Sequence, residues 1–238
     1  MDAGMGKRPI QNEVISYLEM CRREGASLQQ GMNYRMGGTY SVILMSVRVN
    51  APYRDAVLPG ATALIYEGHD VPRRAGLPDP KHLDQPAVTP KGKPTQNGKF
   101  HSAAQDFKKG LRAPERVRVY EKIRAGIWSY NGMFRLTESW IENDGRREVF
   151  KFRLDAAEER PDVESVQDGL AECKRIIPTH VKLEVWKRDG GKCVLCGAKE
   201  ELHFDHIIPV SKGGTSASAQ NVQLLCARHN IAKSDKIE

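Results

Sequence analysis

Residues 185–235 read VWKRDGGKCVLCGAKEELHFDHIIPVSKGGTSASAQNVQLLCARHNIAKSD, and the cysteines and histidines in this stretch decide how the C-terminal part of the chain folds. Cys193-x-x-Cys196 is followed, well downstream, by Cys226-x-x-His229. A two-residue gap lets both side chains of a knuckle face one tetrahedral ion. Two such knuckles complete a closed set of three thiolates and one imidazole, a donor set suited to Zn²⁺. With no position left for water, the site is structural. It ties the two ends of the segment together and supplies folding free energy that so short a segment gains poorly from burial alone. Four ordinary reduced side chains falling at these spacings would be a coincidence.

Between the knuckles lie Phe204-Asp205-His206-Ile207-Ile208-Pro209, a Gly213-Gly214 turn and Asn221, and Asn230 follows the second knuckle. A lone histidine beside an apolar run is ordinarily a packed core residue. The Ile-Ile-Pro run reads as a strand, so Asp205 and His206 point to opposite faces unless the strand ends there.

Taken together, these residues resemble the HNH endonucleases, whose ββα-metal fold sets a hairpin and a helix around one divalent cation. The resemblance makes His206 the general base that takes a proton from water. It makes Asp205 a ligand of a catalytic Mg²⁺ or Mn²⁺, and Asn221 the residue that fixes the loop and orients the base. Many members read Cys-x-x-Cys-His at the second knuckle, whereas this chain reads Cys226-Ala-Arg-His229-Asn230. His229 is therefore assigned to zinc and Asn230 to the catalytic cation. The competing assignment puts His229 on the catalytic cation beside a three-thiolate zinc site. Phosphodiester hydrolysis suits such a set: imidazole is a neutral base near pH 7, and a hard cation held by oxygen ligands offsets charge on the phosphoryl and leaving oxygens. Lys233 reads equally as a phosphate contact or as a solvated helix residue.

The chain has 238 residues, 39% of them hydrophobic and 7% aromatic, which is room for one large or two modest domains. Its formal charge of +7 favours a polyanionic partner. Of its five cysteines, three belong to the metal constellation, leaving Cys21 and Cys173 far apart in sequence, a usage that fits a reducing compartment. The N-terminus lacks the apolar core of a signal peptide and the longest apolar run is too short to span a bilayer, so a cytoplasmic protein is expected.

Upstream, Ile10, Val14, Ile15, Leu18 and Cys21 form a helical stripe ended by Gly25. From Tyr40 the texture is that of strands, SVILMSVRV and then ATALIYEG. Residues 71–99 read as a long basic loop or flap carrying Arg73, Arg74, Lys81, Lys91, Lys93 and Lys99. A helix is predicted over 101–109, then strands over ERVRVYEKI, GMFRLTESWIE and EVFKFRLD, with Asn131-Gly132 reading as a turn. The acidic, proline-containing stretch that follows reads as a linker over 156–176. It separates a first domain, residues 1–155, from a second, residues 177–238.

Residues 32–155 resemble the SRA (YDG) domains. The name-giving tripeptide appears as Tyr130-Asn131-Gly132, Tyr40-Ser-Val-Ile-Leu matches the family's first strand, and Thr95-Gln-Asn97-Gly98 matches its loop near DNA. The segments Pro52-Tyr53-Arg54-Asp55 and Tyr66-Glu67-Gly68-His69-Asp70 match its two pocket segments. Such domains flip 5-methylcytosine out of the duplex. The resemblance makes Tyr53 and Tyr66 the stacking faces and Asp55 the acceptor for the exocyclic amine. Glu67 stands where the family often has a small hydroxyl residue, which leaves 5-methylcytosine and 5-hydroxymethylcytosine both open.

The expected fold class is thus α+β: an SRA-like twisted β-barrel with flanking helices, joined to a ββα-metal module with a structural zinc knuckle. The function these resemblances imply is that of an endonuclease of a restriction system acting on double-stranded DNA that contains modified cytosine. Phosphate contacts from the flap and from Arg116, Arg118, Lys122 and Arg124 would offset the cost of base flipping. One such site cuts one strand, so double-strand cleavage calls for a homodimer or two nicking events. The rival expectation is a non-catalytic reader of modified DNA whose zinc knuckle is structural.

Overall fold

Valines and aromatics alternating with charges between residues 115 and 156 build three long strands, and the rest of the chain is arranged against them. The computed structural model describes residues 8–36, 38–48, 50–58, 62–76, 78–157, 176–234 and 236. In chain order these hold β1 (Val14–Ser16), α1 (Tyr17–Glu24), β2 (Met32–Asn33), β3 (Ser41–Met45), β4 (Ala56–Val57) and β5 (Ala63–Glu67). Then come α2 (Gln96–Lys108), β6 (Glu115–Arg124), β7 (Ile127–Asn143), β8 (Glu148–Ala156) and α3 (Thr179–Arg188). The chain closes with β9 (Leu202–His206), β10 (Val222–Cys226) and α4 (Ala227–Lys233). The class is α+β, as the sequence predicts.

The large sheet runs β2-β3-β6-β7-β8-β5-β4, with β1 added to β7. Among the described residues, only the β3–β6 pairing is parallel; the others are antiparallel. Its core gathers Ile43, Leu64, Tyr66, Val117, Val119, Phe134, Phe150 and Phe152, capped by Phe100, Ala103 and Ala104 of α2. A smaller hairpin, β9 against β10, packs with α3 around Val181, Val185, Phe204, Leu224 and Leu225.

Several sequence expectations are corrected. The helical stripe from Ile10 divides into β1 and α1, because Val14-Ile15-Ser16 pairs with Ser129, Trp128 and Ile127 of β7. Ser16 then caps α1, accepting from the Glu19 amide, and Leu18 is left 76% exposed. Gly25 ends the helix in the left-handed conformation, as expected. The Asn131-Gly132 pair is not a turn. It lies inside β7 at a register shift, where Val119 pairs with Gly132 and Tyr120 with Tyr130, so Asn131 is the extra residue of a bulge. The chain reverses instead at Ala125-Gly126, with Gly126 at φ 74°. The helix predicted over 101–109 begins earlier, at Gln96, where the Thr95 hydroxyl accepts from the Gly98 amide.

The basic flap is held down. Arg147, buried beneath it, donates to the carbonyls of Pro80 and Leu83, and Gln85 is hydrogen-bonded to Gly68 and Phe150. Most of the linker expected over 156–176, with Cys173, lies outside the described residues. Its last residue, Ile176, packs into the large core, and the next, Ile177, into the C-terminal one.

Candidate functional site

Cys193 and Cys196 sit in the turns before β9, Cys226 ends β10, and His229 lies in the first turn of α4. The hairpin ladder brings these three places together, since Cys226 pairs with Leu202 across β9–β10. The four ligand atoms lie within 4.8 Å of one another. Cys196 Sγ is 3.8 Å from Cys226 Sγ, and His229 Nδ1 is 3.4 Å from Cys193 Sγ and 3.3 Å from Cys226 Sγ. A tetrahedral Zn²⁺ with Zn–S near 2.3 Å and Zn–N near 2.0 Å has S···S edges of about 3.8 Å and S···N edges of about 3.6 Å. The cluster therefore has the size of a Cys₃His zinc site, with His229 in it. Burial pushes the Cys193 thiol up, but the backbone amides of Cys226, Cys196 and Leu195 and the nearby His229 outweigh this and hold it at about 6, favouring the thiolate a metal needs.

β9 stops at His206, so Asp205 and His206 stand where strand gives way to loop rather than within a longer strand. His206 Nε2 is 2.9 Å from the Ser216 hydroxyl. Asn221 stitches the loop between them. Its Oδ1 accepts from the Ile208 amide at 2.9 Å, and its Nδ2 donates to the carbonyls of Ile208 and Thr215, each at 3.0 Å. A Cβ at Gly214 would sit 1.8 Å from the Ile208 carbonyl oxygen, so the loop closes only around glycine there.

Asp205 is paired with Lys233, whose ammonium lies 2.9 Å from Oδ2. The approach is an ion pair by distance but off the directions of a hydrogen bond, so the buried Oδ2 is neutralised without being hydrogen-bonded. Lys233 is 1% exposed and is neither the solvated residue nor the phosphate contact that the sequence suggests. Asn230 precedes it by three positions on α4, the helix that packs against β9.

In the large sheet, a cavity of about 110 Å³ is lined by residues including Tyr53, Asp55, Tyr66, His69, Lys122 and Trp128. Three of the four residues expected at a base pocket share it. Glu67 does not line it: its carboxylate accepts from Lys151 at 2.9 Å and from the Arg54 amide, and it lines a neighbouring cavity that shares Tyr53. Asp55 Oδ1 accepts from the Glu67 amide and Oδ2 from the Ser46 amide, each at 3.0 Å. Burial raises its carboxyl to about 7 despite those two bonds.

His69, for which the sequence signals no role, is central to the cavity. Its ring stacks on Tyr53 with centroids 5.7 Å apart and 24° between planes, and its Nε2 is 2.9 Å from the Tyr66 hydroxyl. Burial lowers it to about 4, so it is neutral at pH 7. Asn97 holds its backbone at both ends, which moves Asn97 from the expected DNA-facing loop into the interior. Of the expected phosphate contacts, Arg118 is largely buried against Glu24, and Lys81 pairs with Asp70 while lying 4.1 Å above the Tyr53 ring; Arg73, paired with Asp79, stays exposed. Among the described residues no helix is long and apolar enough to cross a membrane.

The family model of the HNH endonucleases matches residues 193–236. No curated protein matches the chain. Among solved structures, the SUVH5 SRA domain in complex with hemi-methylated CG DNA is 21% identical, with 68% of this chain and 97% of that chain covered and a TM-score of 0.45. The same domain bound to fully hydroxymethylated CG DNA gives 21%, the same coverage and 0.46. Arabidopsis thaliana SUVH6 gives 17%, 67% of this chain, 27% of that chain and 0.41.

Proposed function

We propose that the chain is a modification-dependent DNA endonuclease, in which the large sheet takes up a flipped 5-methylcytosine or 5-hydroxymethylcytosine and the C-terminal hairpin and α4 hydrolyse a nearby phosphodiester. The observation that carries the reading is the match of residues 193–236 to the HNH endonucleases, which spans the Cys₃His cluster at one end of the hairpin and Asp205 and His206 at its loop end.

The geometry supports the roles that the resemblance implies. His206 takes the proton of the attacking water, with Ser216 fixing the tilt of its ring. Asn221 acts one step back, holding the loop that carries Ser216. Asp205 and Asn230 fit a hard cation: both offer oxygens, they lie on facing elements, and Asp205 Oδ2 is a buried oxygen with no hydrogen bond. Bound there, Mg²⁺ or Mn²⁺ would supply charge stabilisation at the phosphoryl and leaving oxygens. Zn²⁺ in the Cys193, Cys196, Cys226 and His229 cluster would clamp the fold. In the sheet, Tyr53 offers a stacking face. A base between Tyr53 and Tyr66 must displace His69, and Asp55 accepts most strongly from an exocyclic amine when it is ionised.

The Lys233–Asp205 pair favours a second reading, a reader of modified DNA without catalysis, because an ammonium stands against the expected metal carboxylate. Incubating methylated and unmethylated plasmid with the protein and Mg²⁺, beside His206→Ala, separates the two. Cleavage confined to methylated DNA and abolished by His206→Ala is expected. Methyl-selective binding with no cleavage by the native protein would leave the reader.

A further inference from the structure

β6 presents its two faces to different parts of the molecule. Lys122 lines the cavity of Tyr53, Tyr66 and His69, together with Trp128, its partner across the β6–β7 ladder. Glu121 and Ile123 point the other way. Ile123 belongs to the apolar cluster of the C-terminal hairpin, and Glu121 meets α3, the helix that packs against β10. Lys182 of α3 and Glu121 are both fully buried, with 2.8 Å between ammonium and carboxylate.

The pair is fully furnished with partners. Thr179 donates its hydroxyl to Glu121 Oε1, Lys182 donates to Asn131 Oδ1 at 2.5 Å, and Asn131 Nδ2 donates to Glu121 Oε2 at 3.1 Å. Asn131 reaches this position because it is the extra residue of the β7 bulge, followed by Gly132 at φ 108°. A bulge re-aims one side chain out of the pleat alternation, and here it turns the middle residue of Tyr130-Asn131-Gly132 onto the helix. The N-terminal segment braces the same junction: the Phe204 amide of β9 donates to the Asn12 carbonyl, and β1 is paired to β7.

We infer that Lys182, Glu121 and Asn131 form a positioning pin that fixes the hairpin carrying His206 in one orientation relative to the base cavity, so that the bond cut lies at a fixed distance from the captured base. A buried charge tolerates no loose geometry. Sliding α3 would strand a carboxylate and an ammonium away from water, whereas an apolar contact alone would permit small slips. The inference rests on the endonuclease reading for its consequence in cleavage, but its structural half stands apart from it.

The test uses the full-length protein as wild type, Lys182→Met, Glu121→Gln and the double variant. Amide exchange over residues 179–188, measured without DNA, is expected to be at least about 100-fold faster in Lys182→Met and largely restored in the double variant, where no unpaired charge remains. On a duplex with one modified cytosine, wild type is expected to cut at one dominant position. Lys182→Met should spread the cuts over several positions at similar total rate, and the double variant should regain the single one. Unchanged exchange and unchanged cut positions in Lys182→Met would overturn the inference. If Lys182→Met does not fold, Glu121→Gln carries the same comparison. If wild type does not cut, the endonuclease reading falls while the exchange comparison still decides whether the pin exists.

Discussion

The Lys233 ammonium lies 2.9 Å from Asp205 Oδ2 and donates to the His206 backbone carbonyl at 2.7 Å, so one buried lysine holds both residues of the Asp-His pair. Its removal leaves an uncompensated carboxylate with little water around it. Lys233→Met is therefore expected to destabilise the protein by about 3–5 kcal/mol in the absence of divalent cations. Added Mg²⁺ should recover more stability in the variant than in wild type, because it would no longer compete with an ammonium. Chemical denaturation with and without Mg²⁺ measures both effects, and an identical Mg²⁺ response would remove Asp205 from the cation site.

The Cys₃His cluster joins the turns before β9, the end of β10 and the start of α4, elements too short to hold one another by burial alone. The purified protein is expected to carry one Zn²⁺ per chain by elemental analysis. Chelation, or Cys226→Ser, should unfold the C-terminal hairpin while leaving the large sheet intact. Proteolysis after chelation should then cut selectively within residues 193–234. Retention of native protection there would show that the cluster does not carry the fold.

Much of this was legible in the sequence because the signals were local. Two x-x spacings gave the metal cluster, and alternation gave β6 and β8 almost to their ends. What the sequence concealed was set by partners distant along the chain. The residues of β1 show helical spacing but are claimed by β7 through backbone pairing, which no side-chain pattern displays. Asn131-Gly132 has turn chemistry, and the same freedom at positive φ serves equally well for a bulge. Ser216 and Lys182 carried no signal at all. A serine in a polar loop and a lysine in an amphipathic helix are ordinary until the fold sets His206 and Glu121 beside them.

Gly31 approaches the cavity so closely that a Cβ there would lie 1.8 Å from His69 Nε2 and 2.9 Å from the Tyr66 hydroxyl. Its φ of 103° is also one that a side chain rarely adopts. Gly31→Ala should push His69 off Tyr66 and cost about 1–3 kcal/mol. Thermal denaturation reports the cost, and the His69 imidazole resonances should move with it. An unchanged imidazole environment would mean that the ring is held by Tyr53 and Asn97 alone.

The cavity also places two titrations of opposite sign in one pH window. Asp55 is raised from 3.8 to about 7, so between these values the folded protein binds a proton that the unfolded chain has released, and stability falls as pH rises. His69 is lowered from 6.5 to about 4, so over that range the unfolded chain binds the extra proton and stability rises with pH. Asp55 is worth on the order of 4 kcal/mol and His69 on the order of 3 kcal/mol across their ranges, so most of the two effects cancels in wild type. His69→Gln should therefore leave the Asp55 slope exposed, with stability decreasing from about pH 4 to about pH 7. Asp55→Asn should show the reverse slope, on top of a loss of about 1–3 kcal/mol from an amide that cannot accept from both backbone groups. Urea denaturation at several pH values checks both. Parallel pH profiles for wild type and the two variants would mean that neither group titrates in that window.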